Sequence, residues 1–366
     1  MHTRLLRLQK ALQRARLDAL ALNPGSSLTY LTGLHFHLME RPVVAFFTAT
    51  GKQALVLPRL EAPKVAERED IQPFFYDDNP AQWHDAFHQA MEALGLRQAR
   101  IGVEPNRLRV LELRFLEAAA PEAAFPSAEE VLASLRTIKD AGELTAMREA
   151  VTIAQNALET ALQTFRVGMT EKELAAEVVL QLLRHGSEPE LPFQPIVAAG
   201  PNSANPHAVP TDRPIQSGDL LIIDWGATHN GYFSDITRTF AIGEVDLELA
   251  SIVAIVQQAN AAGLAAARPG VTAGSVDAAA RRVITAAGYG EYFTHRTGHG
   301  LGMDVHERPF MFSGNEEVLH PGMVFTVEPG IYLPERGGAR IEDDVVVTAD
   351  GAHSLSDLPR ALRRLG

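Results

Sequence analysis

The stretch DLLIIDWGATHNGYFSDITRTFAI, Asp219–Ile242, decides how the rest of the chain is read. Asp219–Asp224 and Phe233–Ile242 carry the apolar and β-branched residues of strands, and His229-Asn230-Gly231 between them is turn chemistry. A hairpin centred between His229 and Asn230 places Asp224 directly opposite Asp235. Cross-strand partners on one face have Cβ atoms roughly 4.5–5.5 Å apart. Two ionised carboxylates that close repel, and one takes a proton unless a cation sits between them. On its own the pair is equally consistent with two strand-capping aspartates.

The sequence downstream adds to it. THRTGHGLGMDVHE supplies His295, His299 and His306, with Gly298, Gly300 and Gly302 letting the backbone pass close to whatever His299 touches. A phosphate-cradling loop would need a strand before it, a helix after it and an acid roughly 20 residues on, and that context is poor here. MVFTVEPGIYLPERGGARIEDDVVVT then places Glu328 at the end of one apolar run and Glu342 at the start of another. A glutamate facing the core is costly unless it is paired or metal-bound. Glu328 and Glu342 therefore read as ligands, whereas Asp343 and Asp344 read as turn-exposed acids.

Composition bounds the chemistry. The chain has 366 residues, 33 Lys+Arg against 45 Asp+Glu and no cysteine, for a net charge of −12. Disulfides, a cysteine nucleophile and thiolate zinc sites are excluded, so any metal must be held by His and carboxylates. The acidic balance argues against a nucleic-acid partner and for carboxylates gathered around cations. With 46% hydrophobic and 21% charged residues the chain is not largely disordered. No apolar stretch is expected to reach the roughly 18 residues of a membrane helix. The opening MHTRLLRLQKALQRARLDAL is Arg-rich and has no acid before Asp18, as in an organelle-targeting peptide. Leu5, Leu8, Leu12 and Ala15 instead sit at helical spacing, which favours an amphipathic domain helix and a cytoplasmic protein.

At roughly 150 residues per domain the length suggests two domains. Up to Ala124, strands expected at Ala19–Leu22, Val43–Thr48, Gln53–Leu57 and Arg100–Val103 alternate with helices around Ala81–Leu94 and Leu108–Ala119. Pro121–Ser127 reads as a link, followed by one helical stretch, SLRTIKDAGELTAMREAVTIAQNALETAL, on which Glu143 is a surface residue. Beyond Gly168, helices at Glu171–His185, Leu249–Ala267 and Ala273–Ala287 alternate with β-rich segments dense in His, Asp and Glu. The expected domains are 1–130, a scaffold, and 131–366, which carries the chemistry.

The ordered motifs IIDWGATHNGYFSDITRT, GHGLGMDVHE, FTVEPGIY and ARIEDDVVVT, with PIVAAGPNSANPHAVPTDRPI and LRTIKDAGE, resemble the pita-bread metallopeptidases. The resemblance is to the Xaa-Pro dipeptidase (prolidase) and Xaa-Pro aminopeptidase branch. It implies an α/β (α+β) fold: a small N-terminal creatinase/prolidase-type α/β domain, then a catalytic domain with a curved, mainly antiparallel sheet flanked by helices. It further implies two divalent ions per chain, manganese first, with cobalt or zinc as alternatives. Asp224, Asp235, His299, Glu328 and Glu342 would hold them, Asp235 and Glu342 bridging, around a hydroxide nucleophile. Glu328 would also shuttle a proton to the leaving nitrogen, His207 would contact substrate beside the scissile amide, and His306 would donate to the carbonyl oxygen. His295 and Arg340 match further site residues, Phe193 and Val305 the proline pocket, and Thr237 and Thr326 residues that hydrogen-bond the ligands.

One position departs from the pattern. Many prolidases carry an arginine shortly after the VHE motif to hold the dipeptide's carboxylate, and here Phe310 stands close to that place. Arg41, in HFHLMERP, is the expected substitute, reaching the partner subunit's site in a homodimer. The implied activity is hydrolysis of the Xaa-Pro bond at the N-terminus of dipeptides or short peptides, with no nucleic acid or membrane involved. The competing readings are a methionine aminopeptidase-like exopeptidase, a metal-free creatinase-like hydrolase and a non-catalytic peptide-binding pita-bread domain. The extra N-terminal domain and PNSANPHAVP argue against the first, and the complete ligand set argues against the other two.

Overall fold

Residues His2–Gly366 are described in the computed structural model, and they separate into two units, one ending at Arg136 and one spanning Thr137–Gly366. The first unit holds strands β1 (Ala19–Leu22), β2 (Val44–Thr48), β3 (Gln53–Pro58), β4 (Gln72–Tyr76) and β5 (Ile101–Val103). They form one mixed sheet in the order β4-β3-β2-β1-β5. Its helices are α1 (His2–Ala15), α2 (Ser26–Thr32), α3 (Trp83–Leu94), α4 (Val110–Ala119) and α5 (Glu129–Arg136). Leu8 and Leu12 of α1 are buried, as the 3–4 spacing of its leucines requires. Strand β4 was not anticipated, because QPFFY alternates poorly and carries a proline on the sheet edge.

The expected single helix from Ser134 to Leu162 is broken in two. α5 stops at Arg136, and α6 (Ala141–Thr164) starts afresh on an Asp140–Glu143 capping box. Glu143 is consequently no surface residue. It is 3% exposed, accepting from the Asp140 N–H at 2.7 Å and from the Tyr232 hydroxyl at 2.7 Å. The first unit ends with α5, which is tied to it: Tyr30 Oη and Arg7 Nη2 both donate to the Leu135 carbonyl.

The second unit adds α7 (Glu171–Arg184), α8 (Leu247–Ala266) and α9 (Ala273–Ala286). Its strands are β6 (Ile196–Ala199), β7 (Leu220–Trp225), β8 (Thr228–His229), β9 (Tyr232–Phe233), β10 (Ile236–Ile242), β11 (Gly298–Gly300), β12 (Glu307–Met311), β13 (Val324–Val327), β14 (Gly330–Leu333), β15 (Gly337–Arg340), β16 (Asp343–Val347), β17 (Ala352–Ser354) and β18 (Arg363–Leu365). One sheet runs β18-β10-β7-β6, antiparallel except for the β10–β18 pair, and a second, wholly antiparallel, runs β12-β11-β13-β16-β17. A single bridge between Thr237 and Glu342 links them. Helices α6 and α7 pack Leu158, Leu162, Leu174 and Val178 against Val197, Ile223 and Trp225 of the first of these sheets. The faces of α8 and α9 close over Ile331, Ala339 and Ile341 on the other side.

Contrary to the expectation from sequence, α8 is long and apolar enough to cross a membrane. The folded chain gives that apolarity another use. Leu249, Ile252, Val253 and Val256 are buried in the core, and the Asn260 amide donates to the Val327 carbonyl at 2.9 Å.

Candidate metal centre

The joint between the two sheets builds the site. Asp224 pairs with Thr237 across β7–β10, and Thr237 bridges to Glu342. The β13–β16 register, which pairs Val327 with Asp343, carries Glu328 to a position opposite Glu342. On the other side Ile196 pairs with Asp224. A single row, Ile196–Asp224–Thr237–Glu342–Glu328, thus crosses both sheets, and residues opposite one another share a face.

Asp235 reaches this row by a register different from the one expected. Asn230 (φ 50°) and Gly231 (φ 72°) form the two-residue turn, and His229 pairs with Tyr232. Two successive left-handed residues match the twist of a tight hairpin, so the turn centre lies one residue later than between His229 and Asn230. Asp235 therefore stands diagonal to Asp224, not opposite it. The two remain neighbours, since Asp224 is among the charges that push the Asp235 carboxyl up.

His299 enters from β11, where its N–H donates to Thr326 Oγ1 at 3.1 Å. The glycines beside it serve the sheet: a Cβ at Gly298 would collide with the Thr326 carbonyl and one at Gly300 with that of Arg308. With His299 Nδ1 3.2 Å from the Gly300 carbonyl, Nε2 faces the acids, 3.3 Å from Glu328 Oε1 and 3.7 Å from Asp235 Oδ2. One ligand atom each from Asp235, His299 and Glu342 fall within 4.8 Å of one another. Thr237 Oγ1 donates to Glu342 Oε2 at 2.6 Å, and Thr326 Oγ1 to Glu328 Oε1 at 3.3 Å. Arg340 donates to Asp224 Oδ2 at 2.6 Å, to Thr237 Oγ1 at 3.1 Å, to the Pro206 carbonyl at 3.1 Å and to the Tyr332 hydroxyl at 3.0 Å.

Asp224, Asp235, His299, Glu328, Arg340 and Glu342 line a cavity of about 610 Å³, together with Phe193, His207, His295, Val305 and His306. Its lining residues all belong to the second unit. Arg41 is not among them; its guanidinium is held by Glu40 at 2.6 Å and Asp78 at 2.8 Å. His306 stacks edge-on against His299, ring centroids 4.2 Å apart. The His295 Nδ1–H donates to the Arg296 carbonyl at 2.7 Å, leaving Nε2 to accept from Tyr332 at 2.8 Å. The sequence reading missed Ile196, Arg296 and Tyr332. Arg296 lay in plain view three residues before His299, while Tyr332 and Ile196 become visible only through strand register.

The electrostatics ask for cations. Burial, then Glu342 and Asp224, push Asp235 well above the usual carboxylate range, and burial, then Glu328 and Asp224, do the same to Glu342. Glu328 is raised to about 7, chiefly by burial and, against the pull of Arg340, by Asp224. Asp224 is raised by burial despite Arg340, and its Oδ1 is buried with no hydrogen bond. Burial drives His299 well below its ordinary value, and His306 beside it adds to the fall, which keeps a lone pair free for a metal. Burial likewise lowers His295 to about 4. Oxygen donors with one imidazole and an orphaned buried oxygen fit divalent ions.

A two-unit chain with such an acid-and-imidazole cavity in its second unit falls in the class of metal-dependent hydrolases. The particular family is shown by comparison: residues 145–349 match Metallopeptidase family M24 and residues 4–138 the Creatinase/Prolidase N-terminal domain, so the chain belongs to the M24 metallopeptidases. It is 39% identical over 354 residues to a probable dipeptidase, PepE, of Mycobacterium tuberculosis, covering 95% of this chain and 92% of that one. It is 35% identical to an Xaa-Pro dipeptidase of Lactobacillus delbrueckii subsp. lactis, covering 98% of both. The crystal structure of a dipeptidase from Pyrococcus horikoshii superposes with a TM-score of 0.93 at 40% identity, covering 99% of this chain and 100% of that one.

Proposed function

We propose that the chain is a metal-dependent exopeptidase that hydrolyses the Xaa-Pro bond of dipeptides or short peptides. The observation that carries this reading is the single cavity in which three buried carboxylates, the partly buried Glu328 and His299 face His207, His306 and the apolar Phe193 and Val305. The resemblance to enzymes named Xaa-Pro dipeptidase supports the substrate class.

In this reading Asp224, Asp235, His299, Glu328 and Glu342 hold two divalent ions, manganese by the preference of an oxygen-rich donor set. When bound, such ions lower the pKa of a coordinated water from 15.7 to about 7 and polarise the scissile carbonyl. The chain's own groups do the rest. Glu328 is the group that carries a proton to the leaving nitrogen. His306 donates to the carbonyl oxygen as negative charge develops there. His207 holds the substrate beside the scissile amide. Phe193, Val305 and Ile196 surround the proline ring, whose missing N–H and fixed φ suit an apolar slot. Thr237 and Arg340 fix Glu342 and Asp224 in place. The opening domain helix supports a cytoplasmic protein and the resemblance supports a homodimer, for which gel filtration with light scattering is the test.

Turnover of Ala-Pro, Ala-Pro-Pro and Met-Ala-Ser with manganese supplied tests the proposal. Cleavage of the first two and not the third is expected. Release of methionine alone would move the chain to the methionine aminopeptidase reading.

A further inference from the structure

Two guanidiniums line the cavity, and they are used differently. Arg340 is spent on Asp224, Thr237, Tyr332 and the Pro206 carbonyl. The Arg296 guanidinium has no hydrogen-bond or ion-pair partner among the described residues. It lies over the Phe310 ring, 4.5 Å from the centroid. It is half-buried, and burial lowers its proton affinity with Glu328 as the one charge acting the other way. A partly desolvated cation is costly without an anion, and stacking on an aromatic face offsets only part of that cost.

Its position limits what the anion is. Arg296 lines the same cavity as Glu328 and His306, the groups assigned to the leaving nitrogen and the carbonyl oxygen, and its charge is felt by both. Each further residue carries a peptide's end up to about 3.6 Å onward. A cation this near the reacting bond meets a terminal carboxylate only when the substrate ends at the residue just past that bond. A longer peptide, or an amidated one, presents a neutral amide there. Phe310 is the residue that occupies the place of the expected arginine, and Arg296 lays its charge across that same ring. Arg41, by contrast, already has Glu40 and Asp78.

We propose that Arg296, seated on Phe310, binds a substrate carboxylate and so selects free-acid Xaa-Pro dipeptides. The inference rests on the Xaa-Pro reading above and deepens it. The C-terminal carboxylate of the dipeptide and an acidic side chain on its first residue share this chemistry, and substrates separate them.

The test compares manganese-loaded wild type, Arg296→Ala, Arg296→Lys and Arg41→Ala on Ala-Pro, Ala-Pro-NH2 and Asp-Pro-NH2. A charge-assisted hydrogen bond sets the scale of the effect, roughly ten- to hundredfold. Arg296→Ala should lower the kcat/KM ratio of Ala-Pro to Ala-Pro-NH2 by that factor, through KM, with partial recovery in Arg296→Lys. A matching selective loss on Asp-Pro-NH2 against Ala-Pro-NH2 would assign the side-chain carboxylate as the source. Thermal shifts by proline against prolinamide read the same contrast without turnover and show whether each variant is folded. Equal losses on free-acid and amidated substrates, or a collapse of the ratio in Arg41→Ala and not in Arg296→Ala, overturn the inference while leaving the peptidase reading intact. A wild type that cleaves none of the Xaa-Pro substrates overturns the peptidase reading itself.

Discussion

Glu342 and Asp343 are adjacent in the chain and both almost inaccessible to solvent, at 2% and 1% exposure, yet their charges are treated in opposite ways. Consecutive strand residues face opposite sides of a sheet. On one side, burial works against the Asp343 charge, but Arg238 and Arg360 hold its carboxyl below the usual range. Arg238 donates to it at 2.8 Å, Arg360 at 2.6 Å and Asn260 at 3.1 Å, with the Ser356 hydroxyl as a further donor. On the other side, Glu342 receives the Thr237 hydroxyl and faces Glu328 and Asp224, and its carboxyl rises. The protein supplies its own cations where the acid is structural. Where the acid lines the cavity it leaves most of the negative charge uncompensated, which is the signature of a site meant to take cations from outside.

The difference can be broken from either side. The largest effect is expected from Asp235→Ala: turnover should vanish and elemental analysis should find divalent metal lost, and an active, metal-loaded variant would refute the site. Next comes Asp343→Ala, which strands Arg238 in the interior. Breaking a buried pair costs about 3–5 kcal/mol, read by chemical denaturation. A loss below about 1 kcal/mol would show that the Asp343 network does not brace the fold.

Smaller is His306→Ala, expected to lose roughly 10²–10³ in kcat with metal content and melting temperature kept. Near-normal kcat would remove His306 from the reaction.

The smallest effect, and the sharpest on sign, is that of Glu328→Gln in chelator. Because Glu328 is raised to about 7, the folded state binds its proton more tightly than the unfolded chain does. Its contribution to stability is fully present below the unfolded value near 4.5 and is lost as pH rises through about 7. The glutamine variant should therefore melt like wild type in acid and above it at pH 8. A gap that does not grow with pH would show that the cluster's strain lies elsewhere. Saturating manganese should reverse the order, because wild type alone keeps the full ligand set.

Much of this was legible in the chain itself. Four acids and a histidine at strand positions, an absence of cysteine and a net charge of −12 point to an oxygen-rich metal site. A continuous apolar run located β1, which is buried on both faces, and helical apolar spacing located α3, α7 and α9, because burial of one helix face imposes a period that a sequence displays directly. The errors came where local pattern is silent about partners. Asp343 and Asp344 read as turn-exposed, yet both are buried in β16, at 1% and 0% exposure, because arginines and backbone groups distant in sequence receive them. Glu143 read as a surface residue, yet Tyr232 folds over it.

By its sequence alone the protein was determined to be a two-domain α/β chain with a carboxylate-rich centre. Residue type and periodicity are local properties, and they carry that much. Only the tertiary structure decided which carboxylates share a face, that the row Ile196–Asp224–Thr237–Glu342–Glu328 crosses two sheets through one bridge, and that Arg296 lies over Phe310. Strand register shifts by whole residues when a turn centre moves by one, and cations reach buried acids from a hundred residues away. Those choices are made by packing and charge balance among distant segments, which no local pattern records.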